Sequence, residues 1–147
     1  MVTRCWSTST TKLWNCPGLR LGYVIAPDAD AADRVRHRQP EWAVNALALA
    51  VLPELLARTD LPGWHSQIGE LQTKFAASLD ALGYRVETTA VNWVLVDHPD
   101  LRSLLARQRV VVRDCTSFGL PGLHRVALPH PADFARVLAA FAAAMNA

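Results

Sequence analysis

Lys12 stands among small hydroxyls in the run Ser7-Thr8-Ser9-Thr10-Thr11, and Arg20 follows it, just beyond Pro17-Gly18. A lysine amine can form a Schiff base with an aldehyde, while hydroxyls and a guanidinium are suitable donors to a phosphate. Lys12 would take the aldehyde, and Ser9, Thr11 and Arg20 would hold the phosphate beside it. These residue types fit a pyridoxal phosphate site. On types alone the commoner use of such a lysine is a solvated surface position, and the commoner use of Arg20 is a cation at a strand edge.

Two more arginines are placed where a carboxylate could be gripped. Leu123 to Leu128 alternates, with His124, Val126 and Leu128 on one face and Arg125 alone on the other. A planar fork there suits a substrate carboxylate bound through two parallel hydrogen bonds. Arg113 is the second candidate, with an ion pair to Asp114 or a phosphate contact as competing uses. Asn45, Asn92 and Tyr23 can serve either a cleft or the scaffold. The histidines (His37, His65, His98, His124 and His130) are too dispersed to compose a metal site and are expected to cap or to be solvated. Trp14 and Trp42 could line a pocket, although core packing is the usual role of such rings.

Composition bounds the remaining options. With 147 residues, 51% hydrophobic and 19% charged, the chain is long enough for an ordinary globular core. The net charge of +2 arises from 15 basic and 13 acidic residues, scattered except for Arg34, Arg36, His37 and Arg38. That cluster is the best candidate if nucleic acid is bound, but it is more commonly a solvated helix face. Cys5, Cys16 and Cys115 are odd in number and lack paired metal spacing, which points to reduced thiols in a cytoplasm and to neither a disulfide framework nor a metal centre. No apolar run reaches membrane-spanning length without charges, and the first residues lack a signal-peptide core.

The elements that must position these groups follow from periodicity and punctuation. Leu19 to Ala26, bounded by Pro17-Gly18 and Pro27-Asp28, reads as a short buried strand; without neighbours it would not hold its shape in water. Asp28 or Asp30 caps a helix to about Arg38, which Pro40 interrupts. A second helix is expected from about Glu41, with Pro53 kinking or restarting it. Asp60-Leu61-Pro62 opens a helix carrying Ile68, Leu71, Phe75, Leu79 and Leu82 on one stripe, stopped by Gly83. Strands over 84–88 and 91–96, a helix over 100–108 and strands over 110–113 and 123–128 follow. A last helix from Pro131 buries Phe134, Val137, Leu138, Phe141 and Met145.

Ser9-Thr10-Thr11-Lys12 with Pro17-Gly18-Leu19-Arg20-Leu21-Gly22-Tyr23 resembles the cofactor-lysine segment of fold-type-I pyridoxal phosphate enzymes, in particular histidinol-phosphate aminotransferases and threonine-phosphate decarboxylases. Pro40 to Leu47, Asn92 to Leu95, Val112 to Cys115 with Ser117-Phe118-Gly119, and His124 to Ala127 match in the same order. The likeness runs from about residue 9 through nearly all of the chain. It implies an α/β fold of a particular kind: the α+β small domain of these enzymes, helices around a small mixed sheet, with a remnant of the large-domain sheet at the N-terminus. Residues 1–27 would be that remnant, and 28–147 a helical linker with the C-terminal small domain.

The resemblance further implies Lys12 as the catalytic lysine, Ser9, Thr11 and Arg20 as cofactor ligands, and Arg125 with Arg113 as substrate ligands. Pyridoxal phosphate would be the cofactor, and a small amino-acid-like compound of the histidinol phosphate or threonine phosphate type the substrate. Family members carry a phosphate-gripping loop, a stacking aromatic ring and a pyridine-pairing aspartate before the lysine, and Thr8 stands where they have an arginine. A truncated or split product, inactive alone, is therefore the expectation, working as a homodimer or with a complementary N-terminal half. The alternative is a repurposed binding module, with nucleic-acid binding or hydrolysis among its possible roles.

Overall fold

A computed structural model of the chain describes residues 6–10 and 13–146. The chain divides into two compact units, Met1–Thr59 and Asp60–Ala147.

In the first unit, β1 (Trp6–Ser9) pairs antiparallel with β2 (Gly22–Ile25), Trp6 opposite Ile25 and Ser9 opposite Gly22. The sequence suggested a strand without neighbours; β1 supplies one, because serine and threonine at alternate positions are compatible with an extended ladder. α1 (Ala29–Arg36) begins where the Asp28 carboxylate accepts from the Ala31 N–H at 2.7 Å, satisfying a donor that the first turn leaves unpaired. The chain then runs without helix to Asn45. α2 (Ala46–Ala57) starts there, not at Glu41, because the Asn45 side chain accepts from the Ala48 N–H at 2.8 Å. Pro53 lies inside α2 without ending it.

In the second unit, α3 (Leu61–Ala81) is capped by Asp60, whose side chain accepts from the Gly63 N–H, and carries Pro62 in its first turn. It stops as anticipated: Gly83 takes φ +92°, a region that costs other residues a Cβ clash, and the Tyr84 N–H closes onto the Leu79 carbonyl. β3 (Arg85–Glu87), β4 (Trp93–Asp97), α4 (Leu101–Arg107), β5 (Arg113–Asp114), β6 (Leu123–Ala127) and α5 (Phe134–Met145) follow. Short 3₁₀ turns cover Thr116–Phe118 and Pro131–Asp133.

The strands form a four-stranded sheet in the order β3-β4-β6-β5. Every pairing is antiparallel, so the sheet is not mixed: β4 and β5, joined through α4, run in the same direction but β6 lies between them. Val110 to Val112 was expected to be strand, but pairing is confined to Arg113 and Asp114. Alternation decides which residues the helices cover. Val94 and Val96 of β4 and His124 and Val126 of β6 are buried, and with Phe75, Leu79, Leu101, Leu105, Val137 and Phe141 they make the core. Phe75 packs edge-on against Phe134 and Phe141, and the buried Tyr84 hydroxyl donates to the Phe141 carbonyl at 2.9 Å. The α5 stripe holds as read, except that Met145 is exposed and Ala140 and Ala144 are buried instead. The α3 stripe likewise buries Phe75 and Leu79, while Ile68 stays at the surface.

Candidate functional site

The first unit holds a loop closed by a double clasp. The Thr10 N–H and the Thr10 hydroxyl both donate to the Leu21 carbonyl, at 3.1 and 2.9 Å, and both residues are buried. Residues 11–20 are thus tied at their two ends, and Lys12 and Arg20 belong to the same closed loop. Lys12 and Thr11 lie outside the described residues; Ser9 ends β1, opposite Gly22. Beyond them the chain turns, the N–H groups of Leu13 and Trp14 donating back to the Thr10 carbonyl.

Arg20 is held by its neighbours. Pro17–Leu19 form a 3₁₀ turn, and the Leu19 carbonyl accepts from the Asn45 side-chain amide at 2.9 Å. Arg20 itself takes φ +46°, a left-handed backbone that is uncommon without glycine and that here turns the chain into β2. Its side chain is exposed, its only polar contact among the described residues being a long one to the Pro17 carbonyl. The guanidinium is therefore free for an anion. Thr10 and Asn45 do the positioning, and neither stood out as doing so in the sequence: their signals are a hydroxyl beside the lysine and an asparagine ahead of an apolar run. Of the two tryptophans, Trp14 donates its ring N–H to Thr59 at 2.8 Å, whereas Trp42 is 95% exposed and lines nothing.

The second unit presents its arginines on the sheet face opposite the buried valines. Arg113 of β5 lies directly across from Arg125 of β6, and Leu95 of β4 flanks Arg125 on the other side. Like charges placed opposite each other on a sheet repel. Neither arginine makes an ion pair among the described residues, so the Arg113–Asp114 bridge, the competing use for Arg113, does not form. Each instead leans on an aromatic ring: Arg125 lies 5.7 Å from the centre of Trp93 and Arg113 lies 5.0 Å from that of Phe118. Gln72 of α3 fixes the start of β4 by donating to the Val91 and Trp93 carbonyls, and Thr89 donates to Trp93 as well.

Asp114 points the other way. It accepts from Thr116 at 2.6 Å, and hydrogen bonding from Thr116 holds its carboxyl below the ordinary value, with His124 and Arg102 adding smaller effects. That turn starts the 3₁₀ segment that presents Phe118 to Arg113. Asn92 uses its backbone carbonyl to receive the Leu128 N–H, a scaffold role, and Tyr23 is exposed on β2. His37 and His130 bond to nearby backbone, as expected of caps, but His124 is 2% exposed, so its ring is packed and not solvated. Among the described residues no group of histidine, cysteine or acidic side chains is arranged to hold a metal. No helix there is long and apolar enough to cross a membrane.

The model of the aminotransferase class I and II family matches residues 3–141. The chain belongs to that family. It is 35% identical over 144 residues to the threonine-phosphate decarboxylase of Salmonella typhimurium, covering 90% of this chain and 38% of that enzyme. It is 32% identical over 145 residues to histidinol-phosphate aminotransferase 1 of Nitrosococcus oceani, covering 94% and 37%. Among solved structures, an aminotransferase of Burkholderia pseudomallei superposes with a TM-score of 0.80 at 27% identity, covering 94% of this chain and 44% of that one. The histidinol-phosphate aminotransferase of Clostridium acetobutylicum gives 0.79 at 23% identity, a likeness of fold, over 97% and 46%. The chain thus spans less than half the length of these relatives, and its fold is that of the corresponding part of fold-type-I enzymes.

Proposed function

We propose that this chain supplies the lysine loop and the substrate-anion face of a pyridoxal phosphate-dependent aminotransferase or decarboxylase, acting on a small phosphorylated amino compound in the cytoplasm. The observation that carries the reading is the placement of Arg113 and Arg125 directly across from each other on neighbouring strands, neither of them making an ion pair among the described residues. An anion bridging the pair replaces repulsion with two charge-assisted contacts. The names of the two curated relatives, one acting on threonine phosphate and one on histidinol phosphate, support a substrate with an anionic end.

The loop of residues 11–20 fits the cofactor. Arg20 offers a guanidinium unpaired among the described residues, at the clasped end of the loop that carries Lys12. Ser9, Thr11 and Arg20 would hold the phosphate, and the Lys12 amine would take the aldehyde carbon. When bound, pyridoxal phosphate supplies an electron sink for the bonds at the substrate's α carbon. Lys12 then holds or returns the proton at that carbon, as a lysine of suitable basicity can. Arg125, stacked on Trp93, orients the substrate by its carboxylate, and Arg113 receives the more distant anion. A homodimer, or a complementary polypeptide carrying the remainder of the family's length, completes the pocket in this reading.

The test is chemical trapping. The whole chain is incubated with pyridoxal phosphate, reduced with borohydride and mapped by peptide mass. The pyridoxyl mass is expected on Lys12, with labelling suppressed in Arg20→Gln. Labelling spread over surface lysines, or absent, overturns the assignment.

A further inference from the structure

Little in the sheet itself aims Arg113. It stands on a strand of two residues at the rim, and among the described residues no carboxylate pairs with it. A long side chain left free samples many rotamers, and freezing it on binding costs affinity. The contact that the structure gives its guanidinium is the Phe118 ring, 5.0 Å away. A cation is drawn to the π face of a ring, so the position of Phe118 biases where the guanidinium rests.

The turn beneath Phe118 fixes that ring. Phe118 closes the 3₁₀ segment Thr116–Phe118: its N–H donates to the Cys115 carbonyl at 2.9 Å, and the Gly119 N–H donates to the Thr116 carbonyl at 2.9 Å. The Leu120 N–H returns to the Cys115 carbonyl as well. The first N–H of the segment, that of Thr116, has no carbonyl partner within the turn. The Asp114 carboxylate accepts it at 2.6 Å, a side chain bonding to its own backbone two residues on.

Asp114 follows Arg113 directly, but alternation along β5 sends the two side chains to opposite faces. Asp114 lies across from the buried His124, and Arg113 lies across from Arg125. The carboxylate therefore helps to place the guanidinium without neutralising it. On Arg113's own face it would compete with an incoming anion; engaged with Thr116, it does not.

We infer that Asp114 is a positioning residue for Arg113: by accepting from Thr116 it sets the turn that seats Phe118 against the guanidinium, and so holds Arg113 ready for an anion. This rests on the reading of Arg113 as an anion ligand and adds the group that prepares it.

Two measurements on the whole chain test the inference apart from that reading. Without ligand, protons held over an aromatic ring resonate upfield, so the Arg113 side-chain signals report its seat on Phe118. Phe118→Ala should abolish that shift and Asp114→Ala should remove most of it. Asp114→Asn should keep it, because the amide oxygen can still accept from Thr116. Titration with O-phosphothreonine is the second measurement. Asp114→Ala is expected to weaken binding about two- to fivefold, the worth of an exposed cation–π contact. Asp114→Asn should bind within about twofold of the parent, and Asp114→Ala in a Phe118→Ala background should add no further loss.

A carboxylate acting by charge alone predicts the opposite: both substitutions would tighten binding, asparagine as much as alanine. A role unconnected with Phe118 predicts losses that add. Either outcome overturns the inference, as do Arg113 signals indifferent to Asp114→Ala. Phe118→Ala leaves the backbone bonds of the turn in place, so unchanged Arg113 signals in that variant overturn it even where Asp114→Ala fails to fold. A parent chain that does not bind O-phosphothreonine sinks only the anion-ligand reading, since the ligand-free signals still decide what Asp114 does.

Discussion

Tyr84→Phe removes a single oxygen from the core of the second unit, and its cost can be worked out from the contacts. The ring is 2% exposed and stands edge-on to Phe141 at 5.2 Å, contacts that phenylalanine keeps. The hydroxyl's bond to the Phe141 carbonyl is lost. That carbonyl lies within α5 and its oxygen has a second lone pair, so no orphan acceptor is created. The cost is that of one net hydrogen bond, about 1 kcal/mol. With a denaturant slope of about 1–1.5 kcal/mol/M in urea, the midpoint should fall by roughly 0.7–1 M near pH 8.

The pH dependence of that difference is the sharper test. Burial raises the Tyr84 phenol above its ordinary value of 10.0. Below that pH both folded and unfolded chains keep the proton and the hydroxyl contributes fully. Above it the unfolded chain ionises first, so the contribution is lost as pH climbs through 10.0 towards the raised folded value. Phenylalanine cannot ionise. The stability difference between the two proteins should therefore shrink from pH 8 to about pH 11. Tyr23, the other tyrosine, is exposed and common to both proteins. A gap that holds constant or widens over that range would refute the reasoning, as would a variant as stable as the parent at pH 8.

Leu79→Ala should destabilise the second unit by about 2–5 kcal/mol, since Leu79 is 0% exposed and a cavity would be left among Phe75 and its neighbours; urea unfolding followed by circular dichroism reads it. Asn45→Ala removes both the α2 cap and the tie to Leu19, so the first unit should lose about 1–2 kcal/mol and amide exchange at Ala48 should speed up. Arg113→Gln should leave the ligand-free stability unchanged or raise it by up to about 0.5 kcal/mol, by relieving repulsion with Arg125, and should abolish most of the thermal stabilisation that the proposed anion-binding role predicts for O-phosphothreonine. Asp114→Asn should be less stable than the parent at neutral pH, with the difference fading as pH falls below 3.8 through the carboxyl's depressed range.

The parts of the fold that the sequence revealed most fully are those where one face is buried and punctuation is chemical. α3 has a capping aspartate, a stripe ending in Phe75 and Leu79, and Gly83 in the only backbone region that stops it there. α5 and the β4–β6 alternation were legible for the same reason. Boundaries set by side-chain bonds were not: Asn45 starts α2 four residues later than periodicity suggests, and three valines before Arg113 stay out of the ladder although their propensity is high. The Val110 N–H is instead taken by the Leu105 carbonyl at the end of α4, so the run begins as the close of a helix and not as a ladder. For the site, Arg125 on the face opposite Val126 could be read directly from alternation. Its pairing with Arg113 could not, because register across β5 and β6 depends on the turn at 115–122. Pairs of residues distant in sequence, such as Thr10 with Leu21 or Asn45 with Leu19, were beyond local pattern altogether.

The order β4-β6-β5 makes the arginine pair mechanically unequal. Arg125 is mounted on an interior strand braced from both sides, while Arg113 rides on the rim, on a strand of two residues hinged to the rest by a turn with left-handed glycines at 119 and 122. One jaw is fixed and the other can yield. As the proposed substrate clamp, the pair would set where a carboxylate sits and let the reach to a second anion drift, so that substrates of different length could be accommodated by changes confined to that turn, without disturbing the packed layer beneath.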